Sequence, residues 1–219
     1  SGRRLVYKPR DLGLEAAWGD LLDWCQHHSS FPMLHAPCSM LHAPCSIQQG
    51  WVPYIAPEPC TDAAAAQRFY QRAGMLLCLV YALRGTDCHR ENLVACGEYP
   101  VLVDVETLLH PEARQMSGDP PDPVATRFFD SVLRTGLLPR WELDPASGQA
   151  YDISGLGSTT PQTVPWRTLR WSAVNTDAMR VFPAPVTLPV QANAPTLDGA
   201  PLDPNDYVDT IVDGFTQMY

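Results

Sequence analysis

Residues 75–83 read Met-Leu-Leu-Cys-Leu-Val-Tyr-Ala-Leu, with no charged or strongly polar side chain in the run. A helix with no polar face has to be buried on all sides, and this run is too short to cross a bilayer. Four alanines at 63–66 raise helix propensity just upstream, and Thr61 or Asp62 can cap the first turn. A helix is therefore expected from about residue 62 to Leu83, with Gly85 as its C-cap. Such a helix needs a core wrapped around it. A chain of 219 residues, 45% hydrophobic and 18% charged, can build one as a single sizeable domain or as part of a larger one. A loop leaving a buried helix is held rigidly at its root.

The loop leaving this one reads Gly-Thr-Asp-Cys-His-Arg-Glu-Asn at 85–92. A strand at 93–95, a turn at 96–100 and a second strand at 101–105 are expected after it. Asp87, His89 and Asn92 stand before this hairpin, and Asp104 and Glu106 stand at its far end. An acid, a His, an Asn and another acid across a tight hairpin suit a magnesium-ATP phosphotransferase. One residue would take the proton of the attacking hydroxyl, and an Asn and an Asp would give Mg²⁺ the oxygen ligands it prefers. A lone His is more often structural, but the company of three polar groups at this spacing favours function. Cys88 is expected to pack rather than react.

Before this centre, residues 3–10 read as a strand stopped by Pro9. Lys8 at its end could reach an ATP phosphate, although a strand-end lysine is usually a surface group. Residues 11–25 read as an amphipathic helix with Leu14, Trp18, Leu21, Leu22 and Cys25 on one face. Its Glu15 could pair with Lys8, but a solvated carboxylate is the plainer expectation. A strand is expected at 50–55, demoted to an edge by Pro53. The 22 prolines cluster at 32–59, 111–123 and 183–204, which are expected to be loops, the last an extended connection. A helix is expected to start near Tyr207.

Residues 33–46 hold Met-Leu-His-Ala-Pro-Cys-Ser twice. His35, Cys38, His42 and Cys45 have the chemistry of a zinc set. No helix or hairpin knuckle frames them, so a copied loop segment is the preferred reading. Gly155 and Gly157 read as a turn, and Trp141, Trp166 and Trp171 as core or loop staples. Residues 112–125 are polar and Pro- and Gly-rich, and their place after the second acidic strand suits a peptide-docking segment. A net charge of −9 argues against a general nucleic-acid binder. No charged-then-apolar amino terminus or bilayer-length run is present. Seven Cys do not look like a secreted disulfide framework, and a reducing cytoplasm is the expected compartment.

Several strings together resemble one family. They are Val-Tyr-Lys-Pro-Arg (6–10), Arg-Ala-Gly-Met-Leu-Leu-Cys-Leu-Val-Tyr (72–81), the 85–95 string and Pro-Val-Leu-Val-Asp-Val-Glu-Thr-Leu (100–108). Residues 131–139, Ser-Gly-Leu-Gly (154–157) and 213–219 continue them. The pattern is similar to the lipid-kinase-like dehydratase domain of class II lanthipeptide synthetases over nearly all the chain except 33–49. The resemblance implies an α+β, protein/lipid-kinase-like core, incomplete at both ends. Residues 1–60 would belong to the N-lobe-like region and 61–219 to the C-lobe-like region. It implies ATP and Mg²⁺ as cofactors and a precursor peptide with a Ser/Thr/Cys core as partner. The γ-phosphoryl of ATP would pass to Ser or Thr, and phosphate would then leave as dehydroalanine or dehydrobutyrine forms. By resemblance Lys8 contacts the nucleotide phosphates, Asp87 and His89 lie at the attacking hydroxyl, and Asn92, Asp104 and Glu106 serve the metal. The family's Gly-containing phosphate segment and its elimination residues are expected outside these residues, as is its zinc cyclase, so the fragment alone is expected to be inactive. A non-catalytic kinase-like remnant that binds a leader peptide or partner, and another small-substrate phosphotransferase, are the alternatives.

Overall fold

The structure, a computed structural model, describes residues 4–28, 50–109 and 122–219. The doubled segment with its His and Cys residues lies outside the described residues, as do positions 112–121 of the expected docking segment.

Strand β1 (Leu5–Lys8) pairs antiparallel with β2 (Gly50–Pro53), Tyr7 opposite Trp51 and Lys8 opposite Gly50. Between them in the chain runs α1 (Gly13–His28), started by the Asp11 carboxylate, which accepts from the Gly13 N–H at 2.6 Å. It buries Trp18 and Cys25 and lays Leu14, Leu21 and Leu22 on the core, the face expected from their spacing. Helix α2 (Ala63–Ala82) is capped by Asp62, which accepts from Ala65 N–H at 2.7 Å. Phe69, Tyr70, Leu76 and Val80 are fully buried along it. The all-apolar run, however, is buried only as far as Val80, apart from Leu79. Tyr81 and Leu83 are half-buried and Ala82 is exposed, so its last turn is not enclosed on all sides as expected.

The end of α2 differs from the expectation. Leu83 is the C-cap, and Arg84, not Gly85, takes the left-handed conformation, at φ 55°. Gly85 is required for space instead. A Cβ there would sit 2.6 Å from Leu108 and 2.7 Å from Val80 side-chain carbons, where the chain folds back over the helix end.

Strand β3 (Leu93–Cys96) pairs with β4 (Tyr99–Leu102). The second strand is thus earlier and shorter than expected. Gly97, at φ 60°, makes so tight a turn that Cys96 faces Tyr99 at once. Asp104 and Glu106 accordingly lie in the loop after the strand. Helix α3 (Pro123–Phe129) includes the last positions of the expected docking segment, and a 3-10 turn at Val132–Thr135 comes next.

A small ladder of β5 (Glu142–Leu143) and β6 (Ala150–Tyr151) precedes a long hairpin, β7 (Gln162–Ser172) with β8 (Arg180–Leu188). Part of the expected extended connection is therefore paired strand. Pro183 and Pro185 sit in β8 opposite Leu169 and Arg167, positions where the ladder asks for no N–H donor. Trp141, Trp166 and Trp171 are exposed, so none is a core staple, while Trp166 staples edge-on to Tyr151 of β6, ring centroids 5.2 Å apart. A ladder of β9 (Thr196–Leu197) and β10 (Ala200–Pro201) and a 3-10 turn lead into α4 (Val208–Met218), which packs along α2.

Candidate functional site

Two segments of chain grip the loop after α2. Cys88 N–H donates to Thr135 O at 2.8 Å on one side, and Arg90 N–H donates to Ile153 O at 2.9 Å on the other. The gripping segments bond to each other, Gly155 N–H to Gly136 O at 2.9 Å and Leu156 N–H to Leu137 O at 2.8 Å. Gly155 is therefore more than a turn residue. A Cβ there would fall 2.4 Å from the Cys88 carbonyl oxygen. Cys88 itself is buried, and desolvation, with Asp87 adding to it, pushes its thiol up to about 12. It is inert packing, as expected.

With its backbone fixed, the loop presents Asp87 at φ 63°, a conformation uncommon for a side-chain-bearing residue. Asn92 holds it there. Its amide Nδ2 donates to Asp87 O at 2.9 Å and reaches Asp87 Oδ2 at 3.4 Å. The amide oxygen of Asn92 is left pointing elsewhere. Glu91 N–H donates to His89 Nδ1 at 3.1 Å, so the neutral imidazole carries its proton on Nε2, which lies 3.4 Å from Asp87 Oδ1. Asp87, His89 and Asn92 thus form one group.

A second group lies across the hairpin base, where Val103 N–H donates to Asn92 O at 3.0 Å. Lys8 Nζ donates to Val103 O at 2.7 Å and pairs with Glu15 Oε1 at 3.1 Å. Glu15 is half-buried and paired, against the solvated carboxylate expected. Arg10 was not singled out by its sequence, yet it is the hub of this group. Its Nη2 lies 2.7 Å from Glu15 Oε1 and 2.5 Å from Asp104 Oδ1, and its Nε lies 3.6 Å from Glu106 Oε2. The signal available was its place two residues after Lys8, with Pro9 between.

Both groups border one cavity of about 450 Å³ between β1–β2, α1 and the β3–β4 hairpin. Lys8, Glu15, Asn92 and Asp104 line it, together with apolar walls from Val6, Leu22 and others. Asp87 and His89 are not among its lining residues. Among the described residues no cluster of three or more His, Cys, Asp or Glu is arranged to hold a metal. The donor set expected for Mg²⁺ includes an Asn, and its chemistry fits. The Asn92 amide oxygen is turned away from Asp87. Asp104 commits Oδ1 to Arg10 and to Glu106 N–H at 3.2 Å, which leaves Oδ2 as a second oxygen donor.

Below the site, Arg90 is buried and donates to Pro189 O, while its Nε and Nη1 have no partner among the described residues. Burial lowers its pKa, with Glu91 and Asp152 opposing.

A family described as "Domain of unknown function (DUF4135)" matches residues 1–219. The chain is also similar to the Lacticin 481/lactococcin biosynthesis protein LcnDR2 of Lactococcus lactis subsp. lactis, 28% identical over 166 residues. That stretch is 71% of this chain and 18% of the relative, so the chain spans under a fifth of that protein's length. Among the described residues no helix is long and apolar enough to cross a membrane.

Proposed function

The chain belongs to the DUF4135 family, and from that premise we propose that it forms the kinase-like part of a lanthipeptide-modifying enzyme. The reaction is phosphorylation of Ser or Thr in a precursor peptide by Mg²⁺-ATP, with phosphate elimination to come after it in the complete enzyme. The likeness to a lacticin 481 biosynthesis protein supports the peptide substrate. The observation that carries the reading is the pairing of Lys8 with Glu15 in the wall of a cavity that Asn92 and Asp104 also line. An ordered lysine and two oxygen donors converging on a partly apolar pocket suit a nucleotide.

In this mechanism Lys8, fixed by Glu15 and Val103 O, orients the phosphates. Asn92 and Asp104 would hold Mg²⁺, which would supply neutralisation of charge on the phosphate oxygens. Asp87 accepts the proton of the substrate hydroxyl as its oxygen attacks the γ-phosphorus and ADP leaves. His89, protonated on Nε2, donates toward Asp87 and sets its orientation. Asp87 is therefore the base and His89 the group that positions it.

Calorimetric titration with a non-hydrolysable ATP analogue tests this. Binding should require Mg²⁺ and be lost in Asp104→Ala. Mg²⁺-independent binding, or full binding by Asp104→Ala, would overturn the proposal. One observation favours a second reading. Arg10 already neutralises Asp104, as it would in a non-catalytic scaffold that binds a leader peptide, and no Mg²⁺-dependent nucleotide binding would then be seen.

A further inference from the structure

The β7–β8 hairpin leaves the core beyond Val164 and Ala184, its buried positions. Leu169 is 72% exposed and Trp171 59% exposed, and Val181 and Phe182 are open too. Arg167, Arg170 and Arg180 are all exposed, and none forms an ion pair among the described residues. In a chain of net charge −9, residues 162–188 carry three arginines and one acid, Asp177. An apolar, locally basic ribbon projecting from an acidic molecule is built to meet something of opposite sign.

The two edges of the ribbon are not equivalent. Pro183 and Pro185 stay in register with β7, so each takes a position where the ladder asks for no N–H donor, and its nitrogen faces outward. The outer edge of β8 thereby lacks two donors and is closed to another strand. On β7, the residues opposite those prolines, Leu169 and Arg167, turn their own N–H and C=O groups outward. That edge is open beyond the base, where Gln149 donates to Thr163 O.

Both feet of the ribbon reach the loop that bears His89. Gln162, the first residue of β7, accepts from Asp152 N–H at 2.7 Å and donates to Asp152 O at 3.0 Å. The residue after Asp152, Ile153, receives the Arg90 N–H, and Ser154 bridges to His89. Just past β8, Pro189 O accepts from the Arg90 guanidinium.

We propose that an extended acidic peptide adds as a strand to the free edge of β7. Acidic side chains on one face of the added strand meet Arg170, which shares that face with Arg180 across from Ser172, and apolar ones on the other face cover Leu169 and Trp171. The ribbon is thus a docking arm anchored beside the catalytic loop. This deepens the peptide-modification reading and rests on it only for the identity of the bound segment as substrate.

The test is fluorescence anisotropy without nucleotide. The probe is a labelled synthetic peptide of about twelve residues alternating Glu and Val, compared with its Lys-for-Glu counterpart. The acidic peptide should bind at least about tenfold more tightly, and salt should weaken it. Arg170→Glu with Arg180→Glu should reverse the preference. Leu169→Pro removes one outward N–H without burying anything and should abolish binding while circular dichroism is unchanged. Equal binding of the two peptides, or undiminished binding by Leu169→Pro, would overturn the proposal. So would self-association of the chain that Arg170→Glu abolishes, since the edge would then belong to a second copy. Peptide binding without Mg²⁺-nucleotide binding keeps the arm and removes the phosphotransfer reading. Nucleotide binding with no peptide preference removes the arm alone.

Discussion

Arg10 stands among three carboxylates, Glu15, Asp104 and Glu106. Take it away and like charges face each other across the cavity mouth. A divalent cation is then the natural replacement. Arg10→Ala should therefore lower the melting temperature in EDTA, by the equivalent of about 1 kcal/mol for a partly exposed network, and added Mg²⁺ should restore much of it. Parallel thermal melts with and without Mg²⁺ check this, and an equal loss in both would show that Arg10 does not stand in for a cation. Gly155 makes a different residue-level demand. Its missing Cβ leaves room for the Cys88 carbonyl at 2.4 Å, so Gly155→Ala should push the loop out of place. A 1 Å displacement in a catalytic geometry can cost about a hundredfold in rate. If the proposed phosphotransfer holds, phosphorylation of a precursor peptide by the longer enzyme that contains this chain should fall by that order, while far-ultraviolet circular dichroism of the chain stays native. Retained activity would mean that the loop yields without consequence.

At the scale of elements, the β3–β4 hairpin is clamped to α2 through its turn. Glu98 receives Arg68 Nε at 2.5 Å and Arg72 Nη1 at 2.8 Å, and Arg72 also stacks on Tyr99. Partial burial works against the Glu98 carboxylate, but the Arg68 and Arg72 bonds and charges outweigh it and hold its pKa below the ordinary value. A lowered folded pKa means stability that is present above the unfolded value, about 4.3. That stability is lost as pH falls from there through the folded value. Glu98→Gln should cost about 1–2 kcal/mol near neutral pH and less at an acid pH below the unfolded value, where the wild type is losing the same contribution. Urea midpoints at the two pH values give the comparison, and a pH-independent difference would assign the loss to packing. The hairpin also marks how far the fold is legible in the residues alone. Helix α2, its Asp62 cap, α1 and the grouping of Asp87, His89 and Asn92 were all legible, because each rests on local propensity, periodicity or near neighbours. The register of β4 and the strand character of residues 180–188 were not. One turns on the left-handed Gly97, and the other on prolines tolerated by alternate ladder positions. Arg10's role as a hub was hard to read for a third reason, since two of its three partners, Asp104 and Glu106, lie more than ninety positions away in the chain.

The whole molecule is tied together where α4 crosses α2. The helices meet backbone to backbone, through a glycine on each. A Cβ on Gly74 would lie 1.9 Å from Ile211 O, and one on Gly214 would lie 1.9 Å from Gln71 O. Neither neighbour is a flexible side chain, so the helices would have to separate. The separation would reach the core, because Ile211 belongs to the same buried cluster as Tyr70, Leu76 and Leu93. Tyr207, just before α4, also stacks on Tyr70 with ring centroids 4.2 Å apart. Helix α4 and the helix that presents the Asp87 loop are therefore packed directly on each other. Gly-to-Ala exchange inside a helix ordinarily gains up to about 1 kcal/mol from propensity, and overpacking ordinarily costs about 1–3 kcal/mol. With a backbone atom as the obstacle, the cost should exceed the gain. Gly214→Ala and Gly74→Ala should each destabilise the protein by roughly 2–3 kcal/mol net. Gly19→Ala in α1 is the control, since a Cβ there meets nothing within 4 Å, and it should stabilise by up to about 1 kcal/mol. Denaturant midpoints of the three variants measure this directly. If Gly214→Ala proved as stable as Gly19→Ala, α4 would not be seated on α2 as described. The close crossing would then have no part in holding the Asp87 loop.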